Sequence, residues 1–438
     1  MIDRAAGDAA PSDAASDDNG SGATADSVSM DVLLARAYLS RVAEPGCIPV
    51  WDLVRRVGPL QAAETIRSGD VAPDVAAATS PRRESADPAA DLDAGLRHGI
   101  RLVVPESVDW PHFAMAALEA AALRRLPSYR SGLERHREGG EPVPPPALWV
   151  KGGGDLASAG VRGVAIVGAR AATPYGQHVT AELSYGLAAR GFDIVSGGAY
   201  GIDAVAHRGA LSAEGHTILV SAGGLERPYP PGNAALYDQV AESGLLVSES
   251  PPGAAPQRHR FLTRNRLIAM LSTGTLVVEA AARSGALNTA YHCRVLGRML
   301  MAVPGPITSP MSAGCHGLLR RDDPDRALLV ASIDHVLEAV GAAGEGLARP
   351  IVTNGATNSD ELRRRIDGLD PRARRVFDGV PVRRPAREDE LAKRCGLAVA
   401  EVIRALPALR LAGLVESTDE GFRLAAAFRR RGAPARPP

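Results

Sequence analysis

Between Arg162 and about Val340, short β-branched runs alternate with amphipathic helical stretches, and that alternation narrows the fold more than any other feature of the chain. The runs are VAIVG, DIVSGG, TILVSAGG, GLLVSES, TLVVEA and MLMAVPG, most of them closing on small turn residues. Strands alternating with helices predict a parallel sheet covered by helices, an α/β architecture. The runs are almost continuously apolar, so the strands are expected to be buried on both faces. We therefore place an extended Rossmann-like parallel-sheet domain at 146–342. In such sheets ligands bind beyond the carboxyl ends of the strands, where backbone N–H groups and helix N-termini favour anions.

The flanks read differently. Residues 1–30 hold six Asp, one Arg and few large apolar groups, a composition that cannot offset its ordering entropy, and are expected to form a disordered tail. From 31 to 145 the pattern is helical, with Trp51, Val54, Val57 and Leu60 at three-residue steps. The Ala, Pro, Asp and Ser-rich stretch at 71–93 reads as a loop insertion. GIRLVVP reads as a strand, and PPPALWVKG as an extended entry to the central domain. A linker is expected at 343–362 and a winged helix at 363–427, where three helical stretches close on a short hairpin; 428–438 is a second tail. From Ile351 to Pro438 there are 18 Lys and Arg against 12 Asp and Glu, a local net of +6, although the whole chain balances at 50 and 50. That excess can be a solvated face or a nucleic-acid surface.

Several function classes lose ground on composition. The four cysteines, Cys47, Cys293, Cys315 and Cys395, lack metal-ligand spacing and read as reduced thiols, so neither a structural zinc nor a disulfide framework is expected. The first 30 residues do not read as a secretory leader, and no run of about 18 apolar residues calls for membrane insertion; a cytoplasmic location is expected. Gly168 and Arg170 in VAIVGARAATPYG fit neither GxGxxG nor the Walker A pattern. The second strand ends in Ser196-Gly197-Gly198, where a dinucleotide enzyme would place an acidic ribose reader, so no nucleotide cofactor is expected.

The candidate site residues gather at the strand ends. In SGGAYGIDAVAH, Gly197, Gly198 and Gly201 allow close backbone approach, Tyr200 offers a stacking face, and Asp203 can either cap a helix or touch a ligand. His207 lies four residues on and could pair with Asp203 as an acid/base couple, though no nucleophile or metal-ligand set accompanies it. Arg258, Arg260, Arg264 and Arg266 crowd one stretch with Phe261 and Asn265, and no acidic residue follows before Glu279; this is the chemistry of a phosphate surface with an aromatic for a base. Arg283, Ser284 and Gly285 open the next helix, where small hydroxyls either bind phosphate or cap.

Taken in order, GARAATPYG, SGGAYGIDAVAH, AGGLERPYPPGN, SES, FLTRNRLIAMLS, VVEAAARSGALNTA and VPGPITSPMSAGCHGLL resemble the landmarks of the DprA/Smf family of DNA-processing, competence-associated proteins. The likeness is strong over about 150–320 and weaker in the flanks. It implies an extended Rossmann domain between a small SAM or helix-hairpin-helix-like module and a winged helix. It also implies single-stranded DNA binding without catalysis, a homodimer, and loading of the RecA recombinase in transformation or recombination. The family's motifs fall on Gly168 and Arg170, on Ser196 to Asp203, and on Phe261, Arg264, Asn265 and Arg266. Two departures stand out: Tyr200 replaces a residue often basic in relatives, and Pro407 falls inside the expected recognition helix. Two competing readings are a nucleotide enzyme using Glu279 or Asp203 as general base, and a winged helix that docks protein.

Overall fold

The computed structural model describes residues 28–130, 141–322, 326–341, 366 and 368–425 apart from 383 and 419. The two expected tails and the linker lie almost wholly outside these residues. The chain divides into two compact units, Met1–Leu347 and Ala348–Pro438.

The first unit begins with five short helices, α1 (Met30–Val42), α2 (Ile48–Val57), α3 (Pro59–Ser68), α4 (Pro73–Thr79) and α5 (Pro88–Arg97). Local chemistry punctuates them. Ser29 caps α1, Gly69 ends α3 in the left-handed conformation, and Asp87 caps α5 by accepting from the Ala90 N–H at 3.0 Å. The 71–93 stretch is not the expected loop insertion, because it contains α4 and the start of α5. Pro73 and Pro88 sit in the first helical turn, where the missing N–H costs nothing and the fixed φ favours helix.

The sheet follows: β1 (Ile100–Val103), α6 (His112–Arg130), β2 (Leu148–Lys151), β3 (Gly163–Val167), α7 (Pro174–Ala188), β4 (Asp193–Ser196), α8 (Ile202–Ser212), β5 (Thr217–Val220), α9 (Ala234–Ser243), β6 (Leu245–Ser248), α10 (Arg258–Met270), β7 (Gly274–Val277), α11 (Ala286–Val295), β8 (Met299–Ala302), α12 (Ala313–Leu319), β9 (Leu328–Leu329) and α13 (Ile333–Val340). Its nine strands run in the order β1-β2-β6-β5-β4-β3-β7-β8-β9. From β6 to β9 every pairing is parallel, as the alternation predicts. GIRLVVP forms the expected strand, β1, and the stretch read as an extended entry forms β2; together they extend the sheet as an antiparallel pair. Strands β3, β5, β6 and β7 are buried at every position. Alternate residues feed two cores: Ala165, Val167, Val195 and Val277 on one face, Val164, Ile166, Ile194 and Leu276 on the other.

The second unit is a winged helix with its own core. Helices α14 (Pro371–Gly379), α15 (Glu388–Cys395) and α16 (Val399–Leu411) pack Val376, Leu391, Val402, Leu406 and Leu409 beneath the hairpin β10 (Val415–Thr418) and β11 (Gly421–Leu424). Pro407 lies on the exposed side of α16, and the helix runs on through it to Leu411.

Candidate nucleic-acid interface

Strand order reverses direction at β3, with β4 on one side and β7 on the other. At this topological switch point the connections leave in opposite directions and a crevice opens beyond the strand ends. It has a volume of about 210 Å³ and is lined by Gly168, Arg170, Asp203, Phe261, Arg264, Asn265, Ser284 and Gly285, together with Val167, Ala199, Leu262, Ile268, Ala286 and Thr289. Residues from four separate motifs therefore converge there.

Two glycines are required by close approach. A Cβ on Gly197 would fall 2.6 Å from a guanidinium nitrogen of Arg264. Gly201 has φ +77°, and a Cβ there would fall 2.3 Å from the Ala169 carbonyl oxygen. The second glycine loop is thus packed against the first turn and against α10. Ser196 belongs to this framework and makes no ligand surface: it is fully buried and its hydroxyl donates to the Ile166 carbonyl at 2.6 Å.

Arg264 is buried and donates to the carbonyls of Gly197, at 2.9 Å, and of Val220. It is still among the residues lining the crevice, so its charge sets a positive potential beneath the opening. Asp203 lies two residues past the helix cap it was expected to form. Gly201 holds that position, and Asp203 in the first turn of α8 turns back to accept from the Ala199 N–H at 3.4 Å. Burial pushes its carboxyl pKa up, while the Arg264 charge and loop amides oppose the rise. No couple with His207 forms. That ring is fully buried, bonds to the Thr217 hydroxyl at 2.8 Å, and is pushed down to about 3 by burial and by the charges of Arg264 and Arg208.

The run of arginines separates by helical phase. Arg266 is 0% exposed and forms a bidentate pair with buried Glu249, at 2.9 and 2.6 Å, with its Nε donating to the Glu141 carbonyl. It is not a crevice residue, so the expectation that it grips phosphate is corrected: its partner carboxylate arrives from the end of β6. Arg260 is likewise engaged, held bidentately by Glu44 at 2.9 and 2.8 Å. Burial opposes ionisation of Glu44, yet hydrogen bonds from Arg260 and His259 and the Arg82 charge hold its pKa down to about 2. Arg258 and Arg283 are exposed and lie outside the crevice lining. Arg170 is the exposed cation on the lining itself.

Aromatic groups gather at the same mouth. The Phe261 ring has the Arg170 guanidinium 5.5 Å from its centroid and the Tyr229 ring 5.3 Å away at 48°. Tyr229 is 44% exposed; Tyr200 is 49% exposed but lies outside the crevice lining, its hydroxyl beside Gly232. Sequence reading assigned no role to the AGGLERPYPPGN segment. In the structure its Asn233 donates to the Gly198 carbonyl at 3.0 Å, and the Tyr237 hydroxyl donates to the Tyr229 carbonyl at 2.8 Å. The segment therefore braces the glycine loop and presents Tyr229. The one available signal was an aromatic in a chain whose aromatic content is 4%.

The remaining groups have structural work. Glu279, a general-base candidate in the enzyme reading, is 2% exposed and accepts from the Thr173 amide at 3.0 Å and hydroxyl at 2.6 Å, tying down the start of α7. Ser284 accepts from the Ala286 N–H at 3.3 Å while still lining the crevice. Asn265 donates to Asn288 at 3.1 Å and so joins α10 to α11. In the winged helix, the outer face of α16 exposes Val399, Ile403 and Leu411 together with Arg404 and Arg410, a mixed apolar and basic surface. Among the described residues no group of three or more His, Cys, Asp or Glu side chains could hold a metal, and no helix is long and apolar enough to cross a membrane.

The chain matches the family model for DNA recombination-mediator protein A over residues 126–341 and that for the DprA winged helix domain over 361–421. It is 46% identical over 390 residues, 89% of this chain and 94% of the relative, to the putative DNA processing protein DprA of Mycobacterium tuberculosis. The X-ray structure of DNA processing protein A from Streptococcus pneumoniae superposes with a TM-score of 0.54 at 28% identity, covering 70% of this chain and 97% of that one. A structure of DNA processing protein A from Helicobacter pylori, described as showing its single-stranded DNA binding mode, superposes with a TM-score of 0.41 at 32% identity over 44% of this chain and 86% of that one.

Proposed function

Because the chain belongs to the DprA/Smf family of DNA-processing proteins, we propose that the switch-point crevice binds single-stranded DNA and performs no chemistry on it. The observation that carries this reading is the pairing of an exposed cation with stacking faces, Arg170 and Tyr229 both against Phe261. Arg170 meets a phosphate, and the positive end of the α11 dipole, beside the crevice at Ala286, favours the same charge. A base then stacks on the Tyr229 and Phe261 platform, an interaction indifferent to base identity. Arg264 adds positive potential from below. Duplex DNA cannot reach such a platform without unstacking, so single strands are preferred.

The family likeness carries two further parts of the proposal: the protein hands bound strands to the RecA recombinase, and it works as a homodimer. The sheet ends at β9, where Leu328 and Leu329 are 43% and 52% exposed. The two exposed leucines side by side, more than the two-residue edge itself, are what a second copy would cover. Replacing both leucines by Glu is expected to halve the mass measured by light scattering.

The test of DNA binding is fluorescence anisotropy of labelled oligo-dT across a salt series, with equal-length duplex as competitor. Wild type should prefer the single strand. Arg170→Ala should reduce the salt slope by about 0.7 for one lost phosphate contact, and Phe261→Ala should weaken binding at unchanged slope. Equal affinity for duplex, or an unaltered slope in Arg170→Ala, would overturn the assignment.

A further inference from the structure

Helix α11 begins at the crevice with Ala286 and ends about 15 Å away, given ten residues at 1.5 Å each. At that far end stand two arginines with incomplete bonding. Arg294 has Nε and Nη1, and Arg298 has Nε, buried without a hydrogen-bond partner. Among the described residues no carboxylate lies within ion-pairing distance of either. Burial also lowers the Arg298 pKa. Arg298 lies over the ring of Phe113, 5.5 Å from its centroid, and that ring is 59% exposed. Arg124 reaches the same place, donating to the Val295 carbonyl at 3.1 Å.

Cations at a helix C-terminus are favoured by the helix dipole, which accounts for their position. It does not account for unpaired donors sealed from water, which mark a place short of negative charge; both side chains stay part-exposed, so an anion meets them at their accessible edge. An anion-seeking pair beside an exposed aromatic repeats, at the other end of α11, the chemistry of Arg170 and Phe261.

We infer that Arg294, Arg298 and Phe113 form a second contact for the phosphodiester backbone of the same single strand, reached once the strand extends past the crevice along α11. The inference rests on the crevice reading above. A short ligand occupies the crevice alone; a longer one bridges both sites, so the second contact shows only with length.

The experiment compares full-length wild type, Arg294→Gln/Arg298→Gln and Phe113→Ala on oligo-dT of about 5 and about 20 nucleotides, lengths that bracket most of the roughly 4 to 16 nucleotides spanned by known single-strand sites. On the long oligonucleotide the double variant should lose up to about 1.4 from the salt slope, shrinking the affinity change between 50 and 200 mM salt by about sevenfold. Phe113→Ala, at an exposed position that leaves the fold intact, should weaken the long ligand alone. Neither variant should alter binding of the short one. Wild-type slope and affinity for both variants on the long ligand would overturn the second contact while leaving the crevice standing. Failure of wild type to bind either length would instead remove the crevice reading, and this inference with it.

Discussion

Replacing Arg266 separates a structural arginine from a DNA-binding one. Its side chain is 0% exposed, and its Glu249 partner is 5% exposed, joined by two hydrogen bonds of 2.9 and 2.6 Å. In Arg266→Met the Glu249 carboxylate stays buried without its counter-charge. Breaking a buried pair from one side costs about 3–5 kcal/mol, whereas removing an exposed, phosphate-binding arginine should change stability by about 0.5 kcal/mol or less. At roughly 2 °C per kcal/mol, the lower end of the range for large domains, the melting temperature should fall by about 6–10 °C. Thermal unfolding followed by circular dichroism reads this directly. Arg266→Met/Glu249→Leu should recover much of the loss, because the stranded charge is gone. Oligo-dT binding of folded Arg266→Met, measured well below its transition, should retain the wild-type salt slope. A variant that melts with the wild type while its slope drops by about 0.7 would show that Arg266 reaches phosphate and would refute the buried-pair argument.

Three other outcomes follow from the same geometry. Tyr229→Ala should weaken oligo-dT binding by about 1–3 kcal/mol with no change in salt slope, measured by anisotropy; a change in slope alone would contradict stacking. Gly201→Ala combines a positive φ with a Cβ 2.3 Å from the Ala169 carbonyl, so it should destabilise by about 1–3 kcal/mol and reduce DNA affinity as the glycine loop shifts. Folded His207 titrates near 3 against an ordinary 6.5, so the folded state binds fewer protons than the unfolded state between those values. The stability associated with neutral His207 is complete above pH 6.5 and is lost on acidification at up to about 1.4 kcal/mol per pH unit. Denaturant titrations of His207→Gln between pH 7 and 5 should show a shallower decline than wild type.

What the sequence discloses and what it hides divide along the reach of the interactions. The parallel strands announce themselves because burial on both faces forces continuous apolar runs, such as Val164 to Val167. Sheet membership of β1 and β2 depends on Trp149 pairing opposite Ser248, a contact across about a hundred residues that no local pattern encodes. The crevice was legible at Gly168, Arg170, Phe261 and Asn265, because glycine-rich strand ends mark where ligands sit. The arginine run was overread for a definite reason: the stretch itself lacks acidic residues, but Glu44 arrives from a distant segment to engage Arg260, and Glu249, at the end of the preceding strand, is folded back onto Arg266. Proline misled at 71–93, where Pro73 and Pro88 start helices. Tyr229 was missed because its position depends on Asn233 and Tyr237 bracing a loop without periodicity.

The most direct test of the central claim is ultraviolet cross-linking of oligo-dT to the wild-type protein, followed by mass spectrometry of the adducted peptides. Adducts on the peptides carrying Phe261 and Tyr229, diminished in Arg170→Ala, are the predicted result. Adducts confined to the winged helix at 368–425, with none on those peptides, would contradict a strand held in the switch-point crevice.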